Sequence, residues 1–311
     1  MSQTRSKKKY ILKFILVLMM GLSLFGLARL YFRLTDDFRL ANITYEMPYH
    51  PHWNVPPMDP EAQKQFDQIV QQKFYYLGKG AQSYAFKSED DKYILKFFKF
   101  KHLKPSVFVD LLPSIGFLKV YKEEQTERKN RLLNSVFDGY RLAYEIHAPE
   151  TGLIYIHLNK SHDIGKKVKV EDKIGLEKTI DLDEVPFILQ EKAKTTRMVM
   201  TELLDNGNIS LAEHRIKQIF DLYLLEYSKG IYDRDHGVMH NTGFVGENPI
   251  HLDVGKLTKD DRMKEKEYYK PDLMRIVAKF NIWFKVNYPQ YFPTLSAYMD
   301  HQIEHIFSLS E

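Results

Sequence analysis

The sequence has no cysteine, which rules out disulfides, thiolate nucleophiles and any zinc site that needs sulfur, and leaves the redox compartment open. Tryptophan is scarce, two residues in 311, against 20 each of tyrosine and phenylalanine, an aromatic content that favours packed strands over disorder. Charge of one sign is in short supply too. The net charge is +4, too mild to argue for a nucleic-acid partner, and no stripe interleaves basic and aromatic side chains as base stacking requires. There are no repeats and no low-complexity tract. What is present, 44% hydrophobic and 28% charged residues, is globular composition with enough chain for one large domain or two modest ones.

Residues 11–32 form an apolar run interrupted only by Lys13 and Arg29 near its ends, positions from which long side chains snorkel to an interface. Residues 1–10 are a basic tail, and more basic residues precede the run than follow it close by. The reading is a single-pass membrane protein with an uncleaved anchor and a cytoplasmic N-terminus. A cleaved signal peptide is the rival pattern, but no good small-x-small site follows the run. Residues 33–58, with four prolines, read as an extended tether. Asp59, Pro60 and Glu61 then give an N-cap, a helix-compatible first residue and a first-turn acid, so the soluble domain begins at residue 59 and runs to 311.

Residues 73–100 read as a three-stranded meander, and 113–144 as a long helix with an apolar face at Leu132, Leu133, Val136, Phe137 and Tyr140. Strand-like segments follow at 153–158, 168–170 and 187–190, with the charged stretch 159–184 as a surface hairpin insertion. Ser210 with Glu213 has the capping-box pattern, apolar residues recur at helical spacing from Ile216 to Tyr227, and Gly230 falls where a left-handed C-cap belongs.

Several constellations carry chemistry. The turn Gly78-Lys79-Gly80 joins two expected strands, and glycine there lets backbone N–H groups approach phosphates; a two-glycine hairpin is also ordinary turn chemistry. Lys96 sits inside an apolar strand, where the plain alternative is an edge lysine facing water. Glu123, Glu124 and Glu127 are candidate ion-pair partners for it, or simply dipole compensation early in a helix. Residues 230–256 pack acids, an asparagine and two histidines into a turn and close on Asp253-Val254-Gly255. His301, Glu304 and His305 match an inverted zinc-peptidase pattern, but too little chain follows for a third ligand, and two solvated histidines are the better reading. No structural metal is expected.

The order of these parts is more informative than any one of them. A glycine turn between strands, a lysine in the third strand, a helix with acids, a hinge-like strand, a long helix, an Asp-containing turn with Asn, and a strand ending in Asp-x-Gly is the order found in protein kinases. The chain resembles the protein kinase-like superfamily, nearer in size to its small-molecule and lipopolysaccharide-type members. The resemblance implies an α+β, two-lobed fold, an N-lobe of antiparallel sheet plus helix at about 73–190 and a helical C-lobe at about 191–311. It implies ATP and Mg²⁺ as cofactors, Gly78, Gly80 and Lys96 on the phosphates, and Gln190 and Glu191 at the hinge that meets adenine. Asp235 would accept the substrate proton, and Asn241 and Asp253 would hold the metal.

The departures are specific. Asn241 lies six residues past Asp235 rather than five, Ser83 replaces a third glycine, and Val254 replaces phenylalanine. A rival register sets His236-Gly237-Val238 on a His-Gly-Asp motif, leaving Val238 at the catalytic position and implying an inactive pseudokinase that serves as a membrane-tethered binding module. No Ala-Pro-Glu motif follows Gly255, so a small-molecule, sugar or lipid acceptor fits better than a peptide. A cytoplasmic N-terminus would put this domain across the membrane, where ATP is scarce outside a nucleotide-supplied compartment; a reporter fused after Glu311 reads that orientation.

Overall fold

The computed structural model describes residues 2–308, with side chains from residue 12 onward apart from Val107. Helix α1 (Ser2–Leu34) opens the chain. Its stretch Leu12–Leu34 is long and apolar enough to cross a membrane, with a mean hydropathy of 2.0 and no buried residue. Leucine and phenylalanine side chains left bare along a whole helix distinguish it from a core helix.

Residues 33–58 differ from the extended tether expected of them. Phe38, Ile43 and Trp53 are fully buried in the domain, and the Trp53 indole donates to Asp138 at 2.9 Å. Three large apolar side chains spaced along the segment outweigh its prolines, because each gains about 1.5–3 kcal/mol on leaving water. Helix α2 (Pro60–Val70) starts as its sequence implies, with the Asp59 carboxylate accepting the N–H groups of Glu61 and Ala62.

The meander is present as β1 (Lys73–Lys79), β2 (Ser83–Ser88) and β3 (Tyr93–Phe98), followed by helix α3 (Gly116–Ile146) and strands β4 (Leu153–His157), β5 (Lys167–Glu171), β6 (Glu177–Asp181) and β7 (Phe187–Glu191). They form one seven-stranded sheet in the order β4-β7-β3-β2-β1-β5-β6. The 159–184 hairpin is therefore more than a surface insertion. Its first strand pairs in parallel with β1, and Val168, Val170 and Ile180 turn inward to bury themselves, extending the sheet at its far edge.

The second half begins with strand β8 (Lys194–Thr195) and helices α4 (Thr196–Asp205) and α5 (Ile209–Ser228). The Ser210–Glu213 capping box is not formed. Gly207, at φ +70°, turns the chain so tightly after α4 that the helix starts two residues earlier, with Asn208 at the cap and no side-chain cap bond. Gly230 does close α5 in the left-handed region, at φ +67°. Next come β9 (Ile231–Asp233), the single turn α6 (Val238–Asn241), the hairpin β10 (Thr242–Val245) and β11 (Asn248–His251), strand β12 (Leu257–Lys259), and helices α7 (Lys266–Asn287) and α8 (Phe292–Ser308). This is an α+β arrangement, a seven-stranded sheet followed by a mainly helical half.

Three apolar clusters hold it together. One lies under the sheet around Phe66, Phe86 and Phe187, and one fills the helical half around Phe220, Phe280 and Met299. The third joins the two halves: Phe137 and Tyr140 of α3 pack with Ile188 of the sheet and with Ile231, Val254 and Leu257 from beneath. The segment carrying Asp253 is thus gripped from both sides.

Candidate active site

Strand β9 ends at Asp233, whose carboxylate accepts the backbone N–H of Asp235 at 2.8 Å and of His236 at 3.2 Å. That side-chain turn holds His236 at φ +54°, which few non-glycine residues adopt without such help. Asp235 emerges partly exposed and pairs with Lys256 at 2.8 Å. His236 faces the other way, onto Asp272 of α7, and its imidazole is held above its ordinary pKa by that carboxylate.

The extra residue between Asp235 and Asn241 is absorbed by α6. The chain closes one helical turn, with the Asn241 N–H on the Gly237 carbonyl at 2.7 Å, and the Asn241 amide comes back beside Asp235, where it helps Lys256 to hold that carboxyl low. The Asn241 carbonyl also accepts the N–H of Leu252 at 2.6 Å, which ties α6 to the residue preceding Asp253. Val238, the catalytic position of the rival register, is 1% exposed in the helical core and faces no cleft.

Lys96 reaches down from the middle of β3 and donates to the Leu252 carbonyl at 2.9 Å. Burial pushes its ammonium well below the usual lysine range, opposed by the charge of Asp253. Asp253 itself is exposed toward the cleft, while the next residue, Val254, is fully buried. Helix α3 lies flush on this segment: a Cβ on Gly139 would meet the Val254 carbonyl oxygen at 2.6 Å, so only glycine fits there. A small cavity of about 80 Å³ is bounded by Gly80, Gln82, Tyr140, Asp235, Asp253 and Lys256.

Some expected partners are elsewhere. Glu123, Glu124 and Glu127 do not approach Lys96; Glu127 pairs with Arg131 and Glu123 faces Lys119 at 3.9 Å, all on the exposed early turns of α3. The turn of α3 that touches the site is at Gly139, about 18 Å further along the axis at 1.5 Å per residue. Gln190 is buried and its amide is committed internally, to the Thr151 carbonyl at 2.6 Å and the Leu252 carbonyl at 3.4 Å. Glu191 follows it at the surface, its N–H on the Gly152 carbonyl. Neither Gly78 nor Gly80 needs to be glycine for conformation or space, since both have negative φ and a Cβ on either meets nothing closer than 3.8 Å. His301, Glu304 and His305 are exposed on α8.

Two features escaped the sequence. Lys256 is one; its sequence signal is a lysine directly after Asp-Val-Gly in a chain whose catalytic turn has no cation after Asp235. The other is a buried polar chain beneath the turn. Glu226 of α5, 1% exposed, bonds His147 at 3.0 Å and His251 at 2.8 Å, and His251 lies 3.6 Å from Asp233. Burial alone would raise Glu226, but the His251 charge and bonds from both histidines bring it to about 2. Burial alone would likewise lower His251, and Glu226 lifts it to about 9. Asp233 is pushed up by burial, with His251 opposing. These residues lie far apart in sequence and no local pattern joins them.

Asp253 and Asn241 are the residues that could hold a nucleotide-borne magnesium ion. Among the described residues no cluster of three or more His, Cys, Asp or Glu side chains converges to hold a metal, whereas Mg²⁺ commonly takes one or two protein oxygens and completes its shell with phosphates and water. Asp253 with Asn241 meets that lower requirement.

No family model and no curated protein matches the chain. Among solved structures it is similar to the streptomycin-ATP-APH(2")-IIa ternary complex at 10% identity, over 78% of this chain and 97% of that one, with a TM-score of 0.25. That superposition is too loose to carry any correspondence between residues.

Proposed function

We propose that the chain is a membrane-anchored phosphotransferase of kinase-like fold, using ATP with Mg²⁺ and acting on a small non-peptide acceptor. One observation carries this reading: Asp235 and Asp253 line one cleft under the β1–β2 turn at Gly80, with Asn241 beside Asp235 and Lys96 bound to the carbonyl just before Asp253. Phosphoryl transfer is chiefly positioning and neutralisation of spreading negative charge, and this set supplies both. Lys96 holds the inner phosphates, and the backbone of the glycine turn covers them. Asp235 takes the proton from the acceptor hydroxyl as its oxygen bonds to the terminal phosphorus. The bond from that phosphorus to the bridging oxygen breaks, and ADP leaves with the electron pair. Asp253 and Asn241 would hold a magnesium ion, whose charge would offset that of the phosphate oxygens. The bare apolar helix α1 supports the anchor.

A second reading, an inactive nucleotide-independent module, is favoured by the closed state of the cleft. At about 80 Å³ it is well below the ~300 Å³ at which ligand pockets begin, so nucleotide entry requires the β1–β2 turn to lift. The test is the thermal stability of the full chain in nanodiscs with ATP alone, Mg²⁺ alone and both together. A rise specific to the pair supports the phosphotransferase; no rise leaves the inactive module. Phosphate transfer to water or lipid then separates an enzyme from a nucleotide-binding scaffold.

Lys256 supplies the cation that the catalytic turn lacks, poised beside Asp235 to face the transferred phosphate. Its ammonium is the main cause of the lowered pKa of Asp235. Lys256→Met is expected to cut transfer by about 10- to 100-fold, as for removal of one charge-stabilising donor, and to move the acid limb of the pH–rate profile upward as Asp235 returns to the usual carboxylate range. An unmoved acid limb would show that Lys256 is a bystander.

A further inference from the structure

Three hollows lie end to end on one side of the sheet. The cleft cavity shares Gly80, Ala81 and Gln82 with a groove of about 580 Å³, which is walled by Lys79, Lys99, Lys101, His102 and Lys129. The groove in turn shares Asp37 and Lys101 with a hollow of about 690 Å³ against the end of the apolar helix, where Phe25, Arg29, Phe32, Arg33 and Arg39 face it. The shared residues set the three side by side, from Asp235 and Asp253 to the place where the apolar helix α1 ends.

The helix is fastened there. Asp36 binds Lys79 at 2.8 Å, Lys173 at 3.1 Å and the Tyr76 hydroxyl at 3.0 Å. Asp37 binds Lys101 at 2.7 Å and Arg39 at 2.9 Å, and Phe38 is buried under β2 against Tyr84 and Phe86. The clamp fixes the distance between the groove and the polar end of α1.

Two carboxylates do not neutralise the groove's four lysines. Lys99 is 5% exposed, donates only to the Gly80 carbonyl and lies over the Tyr84 ring at 4.6 Å. Lys129 donates to the His102 carbonyl. Neither makes an ion pair among the described residues. Burial and the neighbouring Lys79 push Lys99 down to about 8, and burial with Lys99, Lys101 and Lys129 pushes His102 down as well, as expected of a site short of an anion. After the groove the chain carries Phe108, Leu111, Ile115 and Phe117, each at least 69% exposed, an apolar surface of the kind a bilayer covers.

We infer that the groove binds the phosphate-bearing headgroup of a bilayer lipid, with Lys99 and Lys129 on the phosphate, and delivers that lipid as the acceptor to Asp235. The acceptor role rests on the phosphotransferase reading; the binding does not. Because the Lys99 N–H bonds the Gln82 carbonyl at 2.7 Å, an anion on Lys99 acts directly on the glycine turn.

The full chain in detergent, titrated with dihexanoyl phosphatidic acid, is expected to bind saturably, and Lys129→Gln and Lys99→Gln each to weaken binding at least tenfold. Lys129→Gln, altering a partly exposed side chain, keeps the test valid should Lys99→Gln unfold. Inorganic phosphate competing at equal affinity would overturn the lipid assignment, and unchanged binding in both variants would overturn the site. The full chain in nanodiscs containing phosphatidic acid is expected to be more stable than in phosphatidylcholine alone. Failure of the phosphotransferase reading appears as headgroup binding without an ATP–Mg²⁺ response. Failure of this inference appears as an intact ATP–Mg²⁺ response that is the same in both lipids.

Discussion

Asp253→Asn is expected to abolish the stabilisation of the full chain by ATP with Mg²⁺ and to lower phosphate transfer by at least ~10³-fold, about 4 kcal/mol of barrier. At 100 times its dissociation constant a ligand adds about 2.7 kcal/mol to stability, which for a chain of this size raises the melting temperature by roughly 5–8 °C. That rise should be missing from the variant. Its own melting temperature without ligand should stay near that of the wild type, because Asp253 is exposed and, among the described residues, its carboxylate takes one long hydrogen bond, 3.4 Å, from the N–H of Gly255. Lys96 keeps its bond to the Leu252 carbonyl. Asp235→Asn provides the contrast: it should keep the ligand-induced rise and lose transfer. Equal stabilisation of wild type and Asp253→Asn would remove Asp253 from the metal site and sink the mechanism as drawn.

The sequence carried the parts of the fold that depend on periodicity and local chemistry. The meander, the long α3, the cap at Asp59 and the left-handed stop at Gly230 follow from alternation, spacing and a single special φ. It failed where burial overrode composition. The prolines of residues 33–58 spoke for a tether, while Phe38, Ile43 and Trp53, the residues that decide the matter, are too widely spaced to form a pattern. In the site, the order of parts indicated Lys96, Asp235, Asn241 and Asp253, of which Asp235 and Asp253 line the same small cavity. Counting residues could not foresee that one helical turn brings Asn241 back to Asp235, and helical acids gave no clue that α3 meets the site with Gly139 and Tyr140 instead of a glutamate. Contacts such as Asp235 with Lys256, or Glu226 with His147, exist only after the chain has closed.

Glu226→Gln is expected to destabilise the domain by about 3–5 kcal/mol, the usual cost of removing one partner from a buried charge pair, and to lower the melting temperature by roughly 8–15 °C. The variant takes from His147 and His251, both fully enclosed, the carboxylate they share, leaving them Glu150 at 3.1 Å and Asp233 at 3.6 Å. Its pH dependence separates charge from packing. His251 is raised to about 9 when folded, so its contribution is complete below its ordinary pKa of about 6.5 and is lost as pH rises through 9. Glu226 is depressed to about 2, so its contribution is complete above about 4.5 and is lost as pH falls through 2. Wild type should therefore lose up to roughly 3 kcal/mol between pH 6 and pH 9 from this pair. In Glu226→Gln that slope should flatten, because a neutral amide no longer lifts His251. Denaturant midpoints at these two pH values measure both effects, and they avoid the acid range where Asp233, pushed up by burial, works in the opposite sense. Parallel slopes in the two proteins would show that Glu226 does not hold the charge on His251. A flattened slope would identify an ion pair beneath the Asp233–His236 turn, joining the end of α3 through Glu226 and His251 to Asp233, the residue that holds Asp235 in place.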